Sequence, residues 1–227
     1  MKFLRNILDK VEPQFKKGSK LEKLYPLYEM IDTFLYTPKD KAKTAPFVRD
    51  SIDLKRTMIL VVMALLPCLF FGIYNVGHQY SIYIDNEVDT LFKKIMIGIE
   101  CVLPMYLVVF TVGGLCELIF SITRKHEINE GFLVTGFLIP LIMPPSIPLW
   151  MVAISTIFGV VIGKEIFGGT GYNIFNPALI ARVFAFFAYP TAISGDSVWV
   201  WKMPENPEGI TAATSLLSSA RESVTQL

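Results

Sequence analysis

The sequence predicts an all-α polytopic membrane protein of about five transmembrane or re-entrant helical segments, and three observations predict it. Of 227 residues, 52% are hydrophobic and 18% charged, a balance outside that of ordinary globular domains. The apolar residues fall in long runs, and the basic residues are segregated from those runs. A net charge of +1, with no interleaving of basic and aromatic residues, points away from a nucleic-acid partner and towards the lipid bilayer.

Residues 1–56 carry 13 of the 21 Lys and Arg, which makes this polar segment cytoplasmic by the positive-inside rule. Leu21, Leu24, Leu27 and Ile31 suggest a partly ordered amphipathic helix within it. The first crossing starts at Thr57, where TMILVVMALLPCLFFGIYN runs to Asn75 without a charge. At 1.5 Å per residue such a run approaches the roughly 30 Å of the hydrocarbon core. It begins too far into the chain, and is followed by too many apolar runs, to be a secretory signal peptide.

Four further segments follow, near 96–121, 131–144, 147–163 and 175–191. Pro144-Pro145 breaks helix between the third and the fourth. Alternation from a cytoplasmic start returns the loops at Arg124–Glu127 and Lys164–Glu165 to the cytoplasm and sends the acidic loop around Asp85, Glu87 and Asp89 outside. Sixteen of the 21 basic residues then lie inside, so the orientation is self-consistent. The fifth segment is short, contains Arg182 and begins at Asn176-Pro177, so it reads either as spanning or as re-entrant. The expected organisation is thus a cytoplasmic basic segment (1–56), a transmembrane bundle (57–191) and an extracytoplasmic segment (192–227).

Three clusters carry chemistry. Glu208-Gly209-Ile210-Thr211-Ala212-Ala213-Thr214-Ser215 is a small-residue stretch with hydroxyls three residues apart. Thr211 reads as an ordinary helix N-cap; alternatively, the first turn offers backbone N–H groups to a phosphate carried as an ester on Thr214. Gly168-Gly169-Thr170-Gly171-Tyr172-Asn173-Ile174-Phe175-Asn176-Pro177 matches neither a Walker loop nor a dinucleotide fingerprint. It reads as an interhelical turn, or as a site where the amides of Asn173 and Asn176 meet a flavin or quinone edge. Third, Gly113 and Gly114 open space on the second crossing, and Glu117 follows them inside the apolar run. The competing reading pairs Glu117 with Arg124 or Lys125 at the interface; Glu100, at the other end of the helix, is a similar case. Cys68, Cys101 and Cys116 lack metal-ligand spacing and read as packing residues, so no metal site is assigned.

Five separated blocks carry a family resemblance: Val48–Arg56, Val112–Glu117, Arg124–Phe132, Gly163–Gly171 and Tyr189–Asp196. They resemble the NqrB/RnfD family, and within it the B-type membrane subunits (NqrB) of the sodium-translocating NADH:quinone oxidoreductases (Nqr). The Glu208–Ser215 stretch is similar to that family's flavinylation motif, with Glu208 for the usual Asp and Thr211-Ala212 for the usual Ser-Gly. The resemblance implies the N-terminal half of a fold of roughly ten helices in two related halves, and hence that this chain is a piece of a longer one. It implies FMN joined covalently to Thr214 by a flavin transferase, riboflavin as a further flavin, quinone as substrate and Na+ as the transported ion. It further implies quinone binding at Gly113, Gly114 and Glu117, flavin contacts at Asn173 and Asn176, and a place in a six-subunit complex of a bacterial inner membrane. Such a subunit takes part in electron transfer and is not catalytic alone. Rival readings are the RnfD-type subunit of a ferredoxin:NAD electron-transport complex, disfavoured by the long basic segment 1–56, and a flavin-free transporter or scaffold.

Overall fold

In the computed structural model the described residues are 54–84, 90–124, 131–195 and 197–202, together with Asn6, Leu8, Lys10–Phe15, Tyr25 and Tyr28. The amphipathic helix expected around Leu21–Ile31 and the acidic loop at Asp85–Asp89 therefore lie outside the described residues, Tyr25 and Tyr28 apart.

Helix α1 (Leu54–Tyr83) and α2 (Leu91–Arg124) form a long hairpin. Next come α3 (Gly131–Ile142), α4 (Leu149–Gly163), α5 (Pro177–Ala188) and the single turn α6 (Pro190–Ile193). Among the described residues there is no strand. Among the described residues three helical stretches are long and apolar enough to cross a membrane: Arg56–Tyr83, Leu91–Arg124 and Leu149–Phe167. The segment expected to cross near 131–144, and the one near 175–191 expected either to span or to be re-entrant, form helices of 12 residues each. At 1.5 Å per residue each is about 18 Å long, short of the roughly 30 Å apolar layer.

Local chemistry sets these limits. Pro144-Pro145 stops α3, and Pro148 leads into α4 with extended backbone. Asn176 caps α5, its side chain accepting from the N–H groups of Ala178 and Leu179, with Pro177 at the first helical position.

The hairpin of α1 and α2 is held by backbone-to-backbone contact. A Cβ on Gly77 would overlap the Lys94 carbonyl, and one on Gly98 would overlap the Ile73 carbonyl. Without a hydrophobic drive inside lipid, close approach of this kind supplies the dispersion that holds helices together. Helix α2 also packs on α3 and α4, and α5 on α3 and α4. Met105, Val109, Ile139, Met143, Val152, Ala181 and Ala185 form the shared core. Large apolar side chains such as Phe70, Phe71, Leu107 and Phe187 point outward, as lipid-facing positions do.

An aromatic column runs through the α2–α3 contact. Phe132 meets Phe110 edge-on at 6.0 Å, Phe110 meets Phe137 at 5.6 Å, and Phe137 meets Tyr106 at 5.5 Å. The Tyr106 hydroxyl donates to the Phe137 carbonyl at 3.0 Å.

Candidate functional site

The end of the bundle where α2 finishes and α4 gives way to a loop carries the charges. Gly113, Glu117 and Ser121 recur every four residues on α2 and are all buried, so they form one face turned into the protein. At the close of α4, Lys164 leaves helical geometry, and a single 3-10 turn, Glu165–Phe167, follows. Gly168, Gly169 and Gly171 then take φ of 119°, 95° and 93°. These left-handed values suit glycine, and they fold the loop back so that the Gly169 N–H donates to the Lys164 carbonyl.

This fold-back buries two charges that the sequence placed in an interfacial loop: Lys164 is 3% exposed and Glu165 1%. The Lys164 ammonium donates to Glu117 Oε1, and its second carboxylate neighbour, Glu165 Oε1, lies 3.8 Å away. Arg124, in the last turn of α2, reaches Glu165 from the other side, 3.5 Å from Oε2 and donating to the backbone carbonyl at 2.5 Å. Its guanidinium also sits over the Phe120 ring, 5.2 Å from the centroid. Two carboxylates and two cations thus balance within a mostly water-excluded cluster, the arrangement that buried charge requires.

Of the two partners expected for Glu117, Arg124 goes to Glu165 instead and Lys125 lies outside the described residues, while Lys164, 47 residues on, pairs with Glu117. Helical spacing favours a neighbour a turn or two away only while the chain is considered alone; the packing of α4 on α2 supplies a closer cation. The visible clue is an adjacent Lys-Glu pair at the end of an apolar helix whose Gly159 and Gly163 let α5 approach closely. Glu100, by contrast, pairs with Lys202 at 3.2 Å at the opposite end, with both side chains exposed.

The two glycines of α2 differ. A Cβ on Gly113 would collide with the Phe132 ring, whereas one on Gly114 would meet only Phe132 Cε1 at 3.9 Å. Gly113 is thus occupied by packing, and Gly114 leaves room beside the aromatic column. Asn173 bridges its own loop, accepting from the Gly171 N–H at 3.2 Å and donating to the Phe175 carbonyl at 2.9 Å. The Asn176 oxygen is used by the α5 cap. Both amides build the turn that joins the charged cluster to α5. The Thr170 hydroxyl is buried, close against Gly131, without a hydrogen-bond partner among the described residues. The Glu208–Ser215 stretch with Thr214 lies outside the described residues.

Comparison with known proteins gives a consistent picture. Residues 41–226 match the family described as NQR2, RnfD, RnfE. The chain is 48% identical over 239 aligned positions to the B-type subunit of the Na(+)-translocating NADH-quinone reductase of Pseudomonas aeruginosa (strain LESB58), covering 96% of this chain and 58% of that protein. The corresponding subunit of Chromohalobacter salexigens is 47% identical over 238 positions, with 96% and 57% covered. That of Yersinia pestis is 47% identical over 241 positions, with 94% and 57% covered. The chain spans less than three fifths of the length of these curated relatives.

Proposed function

Since the chain belongs to the NQR2, RnfD, RnfE family, we propose that it is a B-type membrane subunit of a sodium-translocating NADH:quinone oxidoreductase, carrying FMN covalently on Thr214 and passing electrons towards quinone. The observation that carries this reading is the level of identity to the B-type subunits, sustained over nearly the whole chain. It extends through the basic N-terminal part and so favours the quinone reductase over the ferredoxin:NAD complex.

On this reading the chain works within a six-subunit complex of a bacterial inner membrane, with residues 1–56 on the cytoplasmic side and Thr214 on the outer side. Flavin supplies the redox chemistry, riboflavin being a further flavin of the complex. The protein's part is to hold, orient and exclude water. The Thr214 hydroxyl provides the oxygen of a phosphoester, and Ala212 and Ala213 leave the approach to it uncrowded. Gly114 leaves one side of the aromatic column open to a quinone ring, with Gly113 fixing Phe132 and the Glu117–Lys164 pair closing the far side of the same helix face. Asn173 and Asn176 act through the loop they build, the flavin contacts expected of them resting on the family resemblance alone. The transported Na+ is cargo of the whole complex.

The test is to purify the complete complex from its native membrane, separate the subunits under denaturing conditions and look for flavin fluorescence in this band. Peptide mass then locates the adduct, with Thr214→Leu as control. The expected result is an FMN phosphoester on the Thr214 peptide, absent from the variant. An unmodified Thr214 in wild type, with the flavin transferase present, would refute the assignment and favour a flavin-free scaffold.

A further inference from the structure

The bundle has an aromatic rim at the end away from the charged cluster. Trp150, in the first turn of α4, meets Tyr189, which closes α5, edge-on at 5.3 Å. The 3-10 turn Ser197–Trp199 is pinned to the same end, where the Val198 carbonyl accepts from both the N–H and the hydroxyl of Ser146. Trp201 follows and packs on Tyr80, with ring centroids 6.1 Å apart. All three tryptophans of the chain are thus gathered here. Tryptophan and tyrosine collect where hydrocarbon meets headgroups, so the rim marks the membrane boundary on this side.

Arg182 brings a cation to that rim. It sits in α5 six residues before Ala188, so its backbone is roughly 9 Å below the end of the helix. Its guanidinium lies 5.9 Å from the Trp199 ring centroid, reaching for the rim as a long basic side chain does when its backbone is in the apolar layer. No carboxylate among the described residues pairs with it: Glu100 takes Lys202, and Glu117 and Glu165 belong to the cluster with Lys164 and Arg124. A half-buried arginine in an apolar helix without a counter-ion calls for an anion.

The rest of α5 narrows what carries that anion. Its small residues Ala178, Ala181 and Ala185 are buried, Ala181 against Gly159 of α4, so the close-packing face of the helix is already in use. The opposite face carries Leu179, Val183, Phe186 and Phe187, all exposed. Such bulky residues suit lipid tails rather than the close approach of a further helix. Arg182 borders that face, with Phe186 one turn towards the rim and Leu179 about a turn away from it. A phospholipid meets both demands, offering phosphate oxygens to the guanidinium fork at headgroup level and an acyl chain to the apolar side chains below.

We propose that Arg182 and the outward face of α5 form a binding site for one phospholipid, its phosphate held on the guanidinium beside Trp199. To test this, the complete complex would be purified in mild detergent, stripped of loosely held lipid and exposed to phosphatidylglycerol carrying a photoreactive diazirine on an acyl chain. Labelling of residues 177–188 is read by peptide mass against that of the exposed side of α2 at Leu107 and Leu115, which reports unspecific lipid contact. The expected result is labelling of α5 above α2 in wild type, reduced severalfold in Arg182→Gln and largely kept in Arg182→Lys. Unlabelled phosphatidylglycerol should displace the probe. Diacylglycerol, which has no phosphate, and inorganic phosphate, which has no chain, should not.

Labelling of α5 no stronger than that of α2 in wild type, or equal in wild type and Arg182→Gln, would overturn the proposal. So would displacement by diacylglycerol, which would leave the phosphate no part, or by inorganic phosphate, which would make this a free-anion site. Should Arg182→Gln fail to assemble, the three competitors decide on the wild-type complex alone. Carbodiimide treatment of Arg182→Lys tests the rival occupant. A cross-link from position 182 to a neighbouring subunit would put a protein carboxylate on this cation and overturn the lipid site; no cross-link is the expected result.

Discussion

Removing Lys164 should damage the protein more than removing Glu117, and removing both should damage it least. In the single variant Lys164→Met, Glu117 loses the ammonium that donates to its Oε1, while Arg124 continues to neutralise Glu165, so a buried ion pair is broken from one side. Breaking a buried pair in this way costs about 3–5 kcal/mol. In Glu117→Gln the stranded ammonium still has Glu165 at 3.8 Å, and the amide can accept its hydrogen bond, so a loss nearer to about 1–2 kcal/mol is expected. In Glu117→Leu/Lys164→Met the desolvation of both charges disappears together with their attraction, and stability should return to within about 1 kcal/mol of wild type. Thermal unfolding of the detergent-solubilised complex, together with assembly yield, orders the three. A Lys164→Met complex as stable as wild type, or a double variant no better than Lys164→Met, would refute the reasoning. A double variant of wild-type stability that no longer reduces quinone would place the pair's purpose in function.

The hairpin of α1 and α2 should not tolerate a side chain at its crossing: Gly98→Val drives a Cβ into the Ile73 carbonyl and is expected to abolish accumulation of the subunit on a membrane immunoblot, while Gly72→Ala, facing open space, leaves it unchanged. Asn176→Ala removes the cap of α5, which is worth about 1 kcal/mol; a lowered melting temperature, recovered in Asn176→Asp and accompanied by faster hydrogen exchange at Ala178 and Leu179, is the expected signature.

Where a feature depends on neighbours along the chain, it is legible in the sequence. The charge-free run from Thr57, the break at Pro144-Pro145 and the Asn176-Pro177 helix start all appear where local chemistry puts them. Composition ends the first helix at Asn75, because Gly77, His78 and Gln79 dilute its apolarity; the helix continues to Tyr83 because Gly77 seats it on α2. Likewise, composition makes a crossing of the 131–144 segment and leaves 175–191 either spanning or re-entrant, whereas the proline breaks and the cap set helices of 12 residues in both. For the candidate site, burial of Glu117 is legible from its place inside an apolar run, but its partner is not. A contact 47 residues apart is fixed by how α4 lies on α2, which no local pattern encodes.

The charged cluster has a consequence for how the protein responds to an energised membrane. A transmembrane voltage does work on net charge displaced along its field, roughly 2.3 kcal/mol per elementary charge per 100 mV. Glu117, Lys164, Glu165 and Arg124 together carry none, and because each is tied to a partner on the other helix or its loop, they move as a unit. A shift that carries all four as one body is therefore nearly invisible to the voltage. A rearrangement of that kind then costs the same free energy in a resting cell as in a fully charged one.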